Sequence, residues 1–274
     1  MQEKKKQVSF IHFGNTGDVI ASLPAIREFY VKSGVKPDIF LKSGHKAEYY
    51  EGATHPVLDE KGETVSLNDY MIEMLIPLLE AQHYIKSVSK FDGQHIDLNL
   101  SLIRNNFVNM PFGDIRRWYF YIFHDLACNL SEQYISVKDT WWDFAKQKLI
   151  VCRTERYINF HISYKFLRDY EDELVFAGTD YELEKFNKEN GLSLKKLEVK
   201  SFFELAQALK QSKGLLSNQT MIFQIAEGLK IPRIVELCHF APNVIPVGEN
   251  AFDFYSQTAV EYYVDLLLTK KPSI

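Results

Sequence analysis

Apolar residues in this chain follow two rhythms, short unbroken runs and stretches spaced three or four apart, and the two alternate along its length. Val8 to Phe13 is rich in β-branched and aromatic side chains, too short for a buried helix and stopped by Gly14, which predicts a strand. Val19, Leu23, Ile26 and Tyr30 then share one helical face, so a helix is expected from about Gly17, with Pro24 either tolerated early or bending it. Pro37 to Leu41 reads as a strand and Ala47 to Tyr50 as part of a short helix. Met71, Met74, Leu75, Leu78 and Leu79 line one face of a helix over Asn68 to Glu80, with Pro77 as a kink or early end. Short strands follow at Tyr84 to Val88 and Asp97 to Leu100, then a long polar loop, Leu102 to Gly113, carrying Asn105, Asn106, Asn109 and Pro111. Ile115 to Leu126 is apolar nearly all round and predicts a buried helix, although its interleaved arginines and aromatics also suit base stacking.

A second strand-and-helix set begins at Leu149 to Cys152. Leu174 to Ala177 is a strand ending in Gly178, Tyr181 to Asn190 a charged exposed helix stopped by Gly191, and Phe202 to Gln211 another helix. Gly214 to Ser217 leads through Asn218, Gln219 and Thr220 into a helix whose face is Met221, Ile222, Ile225, Ala226 and Leu229. The strand Arg233 to Leu237 follows, and Ala259 to Leu268 is a terminal helix. Alternation of this kind predicts parallel α/β layers, with a boundary between Lys138 and Lys148 that divides the chain into residues 1–145 and 146–274.

Composition narrows the classes. A chain of 274 residues suits two domains of roughly 130 to 150 residues, and a hydrophobic share of 46% supports packed cores. The net charge of −4 gives no global basic field, which disfavours nucleic acid. Cys128, Cys152 and Cys238 are odd in number and widely spaced, so neither a disulfide framework nor a zinc site is expected. No run is long enough to span a bilayer, and a reduced, cytoplasmic protein is expected. Lys4, Lys5 and Lys6 read as a solvated tail, with a weak membrane-surface contact left open.

The candidate chemistry sits where predicted strands empty into loops. Gly14, Asn15, Thr16, Gly17 and Asp18 form a glycine-bracketed loop that places one carboxylate at a strand's carboxyl end, where open α/β sheets collect ligands. The spacing is neither the dinucleotide fingerprint nor a P-loop, and Asp18 also suits a plain role at a helix start. In the second half, the helix start near Ser217, Asn218, Gln219 and Thr220 is a candidate anion site, or an ordinary cap made by Ser217 or Asn218. His12 alternates within its strand and reads as a satisfied core residue.

Two α/β domains whose strand-end loops face a common cleft describe the GT-B architecture, two Rossmann-like domains. The run Gly17-Asp18-Val19-Ile20-Ala21-Ser22-Leu23-Pro24-Ala25-Ile26-Arg27 resembles the N-terminal motif of the heptosyltransferase-like glycosyltransferases, glycosyltransferase family 9. Ser217 to Pro232 is similar to that family's segment against the donor diphosphate, with Asn218, Thr220, Ala226 and Pro232 in register. Gln219, Met221 and Gln224 stand where the family usually carries aspartate, glycine and histidine; a glycine allows close backbone approach and a histidine can donate a hydrogen bond to phosphate, while Gln224 keeps an amide that can donate.

The resemblance implies a metal-independent, inverting transferase that takes a sugar from a nucleotide-sugar donor to a hydroxyl on a glycan or glycolipid acceptor in cell-surface glycan or lipopolysaccharide synthesis. It needs no cofactor, and no D-x-D run is present. Asp18 is then the general base, since a sugar hydroxyl attacks well only as its proton leaves. Arg153 and Arg156, beside Thr154, follow the first strand of the second half and suit a diphosphate clamp, or else paired surface charge. Glu236 could accept from a ribose or sugar hydroxyl or be structural, and Asn105 to Arg117 could line an acceptor pocket. The departures at Gln219, Met221 and Gln224 keep a second reading open, a non-catalytic nucleotide- or glycan-binding protein on the same fold. A nicotinamide oxidoreductase is a third, opposed by the missing fingerprint glycines.

Overall fold

The structure, a computed structural model, describes residues 7–49, 56–104, 111, 113–139 and 145–269. The N-terminal lysines, Tyr50, and Asn105, Asn106 and Asn109 lie outside them. β1 (Ser9–His12) is wholly buried, as its unbroken run predicts. The helix expected after it is two, α1 (Thr16–Ala21) and α2 (Leu23–Ser33), with Ser22 at the break and Pro24 in the first turn of α2, where its missing N–H costs nothing.

β2 (Asp38–Leu41) and α3 (Asp69–Glu80) follow; the Asn68 side chain caps α3 by accepting the Met71 N–H, and the helix runs on through Pro77. Residues 47–49 are not helical: Lys46 bridges Val65, and the Tyr49 hydroxyl donates to Asn15 Oδ1 at 3.0 Å. β3 (Ser87–Lys90) lies later than the strand expected at Tyr84 to Val88, because Tyr84 and Ile85 are used as core anchors ahead of the ladder. β4 (Leu98–Asn99) passes into a 3-10 turn, Leu100–Arg104, where an open loop was expected. α4 (Ile115–Ile122) ends earlier than expected and is two-faced rather than apolar all round, with Trp118 and Tyr119 buried and Arg117 and Tyr121 exposed.

The second half contains β5 (Leu149–Cys152), β6 (Leu174–Phe176), α5 (Asp180–Asn190), α6 (Phe202–Gln211), β7 (Gly214–Asn218), α7 (Met221–Leu229), β8 (Arg233–Glu236), β9 (Ala251–Phe254) and α8 (Gln257–Thr269). The 3-10 stretch Lys165–Glu173 and β9 were not expected, since neither carries a sustained apolar period. Both sheets are parallel, in the orders β3-β2-β1-β4 and β6-β5-β7-β8-β9. The strand order reverses between β1 and β4 in the first sheet and between β5 and β7 in the second, so ligand crevices are expected at those carboxyl ends.

Helix packing joins the two sheets. α1 packs on α7 and α3 on α6, and one apolar cluster runs from Phe10 and Leu75 through Leu205 and Ile225 to Val235. Tyr134 and Ile135 donate their N–H groups to the Gly228 carbonyl at 3.1 and 3.0 Å; a Cβ on Gly228 would lie 2.5 Å from the Ile135 side chain, so only glycine admits this approach. A buried charge network adds to the junction. Arg116 of α4 pairs with Asp114 and with Glu227 of α7, and Glu227 also pairs with Lys230 and with Arg233 of β8.

Candidate functional site

The two strand-reversal points meet. The loop after β1 leads into α1, whose Gly17 sits where an added Cβ would be 3.8 Å from the Met221 Cα at the start of α7. From the loop after β5, the Arg156 guanidinium lies over the Tyr49 ring at 5.6 Å, and Tyr49 in turn donates to Asn15. Gly14, Asn15, Thr16, Gly17, Asp18 and Arg156 are therefore neighbours, although they lie on opposite halves of the chain.

Asp18 is buried, and its carboxylate is already engaged. Oδ2 accepts the Asn15 N–H at 3.1 Å and the Arg104 Nε–H at 2.8 Å, while Oδ1 accepts Arg104 Nη2 in a two-point fork. Arg104 comes from the 3-10 turn after β4 and rests over the Trp118 ring at 5.8 Å. Beneath the loop, His12 is buried, and burial pulls its pKa down to about 4. The hydrogen bonds assign its tautomer. Tyr119 donates its hydroxyl to the Asp18 carbonyl at 2.6 Å, so it accepts from His12 Nε2 at 2.8 Å, while Nδ1 accepts the Gly14 N–H at 3.0 Å. Gly14 is required by space: a Cβ there would stand 2.8 Å from both Asp18 Oδ2 and His12 Cε1.

On the facing side the polar residues hold loops. Asn218 is fully buried in β7; its Nδ2 donates to the Thr154 and Arg156 carbonyls at 3.0 and 2.7 Å, and its Oδ1 accepts the Thr154 N–H at 3.1 Å. This pins the 154–156 turn that aims Arg156. Gln219 donates to the Ala241 carbonyl at 2.7 Å and accepts the Cys238 N–H at 2.7 Å, which fixes the 238–241 loop. Ser217 ends in β7 with its hydroxyl on the Asn218 carbonyl, and Thr220, rather than Ser217 or Asn218, caps α7 by accepting the Phe223 N–H at 3.2 Å. Gln224 is buried within α7, and its Oε1 has no partner among the described residues.

Arg153 is not presented as a free cation. It forks onto Glu236 at 2.9 and 3.1 Å and stacks on Tyr164 at 4.8 Å. Glu236 is fully buried and also accepts from the Asn159 N–H and the Tyr164 hydroxyl, so its carboxylate is satisfied internally. Arg156 is thus the arginine of the expected pair that reaches the first half. Tyr157, next to it, holds a left-handed φ of 53°, a strained backbone of the sort that collects at working loops.

Sequence reasoning missed Arg104, Tyr49 and Tyr119. Arg104 did carry a signal, a cation just past a short strand beside the Asp18 strand. Tyr119 lies 101 residues from Asp18 and had none. Among the described residues no three of histidine, cysteine, aspartate and glutamate converge as metal ligands, and no helix is long and apolar enough to cross a membrane.

No family model matches the sequence, and no curated protein matches it. Solved structures do. A glycosyl transferase family 9 structure from Veillonella parvula has 12% identity, covers 100% of this chain and 92% of its own, and superposes with a TM-score of 0.57. The E. coli ADP-heptose lps heptosyltransferase II has 11% identity, 98% and 100% coverage and a TM-score of 0.60. E. coli heptosyltransferase WaaC with ADP has 12% identity, 96% and 100% coverage and a TM-score of 0.57. The likeness is one of fold, and an α/β chain with two parallel sheets is consistent with the fold that the motif at Gly17 to Arg27 implied.

Proposed function

We propose that this chain, which has the fold of the heptosyltransferase-like glycosyltransferases, is a metal-independent, inverting glycosyltransferase. It moves a sugar from a nucleotide-sugar donor to a hydroxyl of a cell-surface glycan or lipopolysaccharide precursor on the cytoplasmic side of the membrane. Residues 1–145 serve the acceptor and 146–274 the donor, across a GT-B cleft. The observation that carries the reading is the meeting of the two strand-reversal points, with Arg156 over Tyr49 beside the Asp18 loop.

Asp18 then accepts the proton of the acceptor hydroxyl as its oxygen attacks the anomeric carbon, and the nucleoside diphosphate leaves from the opposite face, which inverts the configuration. Arg156 and the first amides of α7, capped by Thr220, supply positive charge to the departing diphosphate. The Arg104 fork occupies one lone pair on each Asp18 oxygen and the Asn15 N–H takes a second on Oδ2, so the acceptor hydroxyl meets the remaining lone pair of Oδ1. The ADP present in one of the similar structures supports a nucleotide-linked donor.

A second reading has its own support. Asp18 is held by Arg104, Arg153 by Glu236 and Gln219 by the 238–241 loop, and Met221 brings a side chain where α1 meets α7, all of which suits a protein that binds a nucleotide or glycan without turnover. A panel of ADP-, UDP-, GDP- and CMP-linked sugars, assayed for nucleotide release with and without EDTA, separates the two. Repeated turnover with one donor, unaffected by EDTA, is expected. Saturable donor binding with no turnover would install the second reading.

A further inference from the structure

The exposed face of α4 lines a cavity. It has a volume of about 390 Å³, within the range of small-ligand sites, and is walled by Arg117, Phe120 and Tyr121 on one side and by Asn129, Ser131 and Val247 on the other. Arg117 is exposed, and among the described residues no carboxylate pairs with its guanidinium. This sets it apart from Arg27, Arg104, Arg116, Arg153 and Arg233, each of which holds a carboxylate.

Cations stand behind the residues that line the cavity, without lining it themselves. Half-buried Lys230 donates to the Leu130 carbonyl and to the Val247 carbonyl at 3.0 Å, and buried Arg233 also reaches the Val247 carbonyl, so two cations hold the second wall from behind. The ion-pair network to which Lys230 and Arg233 belong contains three cations, Arg116, Lys230 and Arg233, against two carboxylates, Asp114 and Glu227. An exposed arginine in the lining, with Lys230 and Arg233 behind the opposite wall, favours an anion. Two aromatic rings beside a guanidinium favour a ring carried with that anion, and Asn129 and Ser131 add polar groups suited to hydroxyls.

We infer that this cavity binds a phosphorylated monosaccharide unit, its phosphate on Arg117 and its ring between Phe120, Tyr121 and the Asn129–Ser131 turn. The site stands apart from the Asp18 site: Tyr119 of α4 supports Asp18, whereas Arg117 and Tyr121 project from the exposed side of that helix. The inference does not rest on the transferase reading.

Calorimetric titration of the intact chain with glucose 6-phosphate, methyl α-glucoside 6-phosphate, glucose and inorganic phosphate tests it. Saturable binding of glucose 6-phosphate is expected, with at least tenfold loss in Arg117→Gln, a comparable loss in Tyr121→Ala, and no change in Arg156→Ala. Equal binding of the methyl glucoside phosphate would mark a glycan-borne ligand and its failure a free sugar phosphate, both within the inference. Absence of sugar-phosphate binding in a wild-type chain that melts cooperatively would overturn it, as would affinity unchanged by Arg117→Gln or inorganic phosphate binding as tightly as the sugar phosphate.

Discussion

Replacing Glu227 with alanine should be among the most destabilising single changes in the chain. The carboxylate is fully buried and faces three cations, Arg116, Lys230 and Arg233, with Val247 N–H a further donor at 3.4 Å. Its removal leaves those cations in a water-poor junction with only Asp114 remaining. Breaking a buried pair by deleting one partner costs roughly 3–5 kcal/mol, because the surviving charge is uncompensated. At about 2–4 °C per kcal/mol for chains of this size, the melting midpoint should fall by roughly 6–20 °C. Thermal melting gives the midpoint and urea denaturation followed by circular dichroism the free energy, with Asp139→Ala as reference. Asp139 pairs with Lys210 at the surface, where a pair contributes under about 1 kcal/mol. A Glu227→Ala loss below about 1 kcal/mol, or one no larger than that of Asp139→Ala, would refute the view that this network ties α4 to α7.

Three further outcomes follow from the site. His12 is neutral in the folded chain down to about pH 4, while an unfolded histidine takes up a proton below about 6.5; stability should therefore fall as pH drops through that window, by about 2 kcal/mol between pH 7 and 5. Denaturation midpoints of wild type and His12→Gln at the two pH values check this, and an equal pH slope in both would refute it. Gly14→Ala should lower turnover more than stability, because its methyl group meets Asp18 Oδ2 and the His12 ring, read by kcat against melting midpoint. Asn218→Ala should cost about 2–3 kcal/mol through its lost bonds to the 154–156 turn, and should weaken nucleotide binding by releasing Arg156.

The sequence announced the elements whose cause is local. β1, α3, α6 and α7 follow from apolar spacing and caps, and the Gly14 to Asp18 loop from a strand stopping at glycine. What stayed hidden depends on distant partners. Of the helix expected over residues 47–50, the described residues 47–49 form an irregular stretch because Tyr49 is drawn to Asn15 and Val65, 34 and 16 residues away. Arg153 and Arg156 look equivalent in sequence, and only the fold separates them, since β8 brings Glu236 to Arg153 while Arg156 reaches Tyr49. Ser217 and Asn218 read as caps, yet the strand continues through both and passes that role to Thr220.

The most direct test of the account is transfer by Asp18→Asn beside wild type, with donor affinity measured by calorimetry on the same preparations. Loss of a general base predicts a fall in kcat of about 10²- to 10⁴-fold with donor affinity nearly unchanged. Turnover at the wild-type rate would contradict the central claim and remove Asp18 from the chemistry.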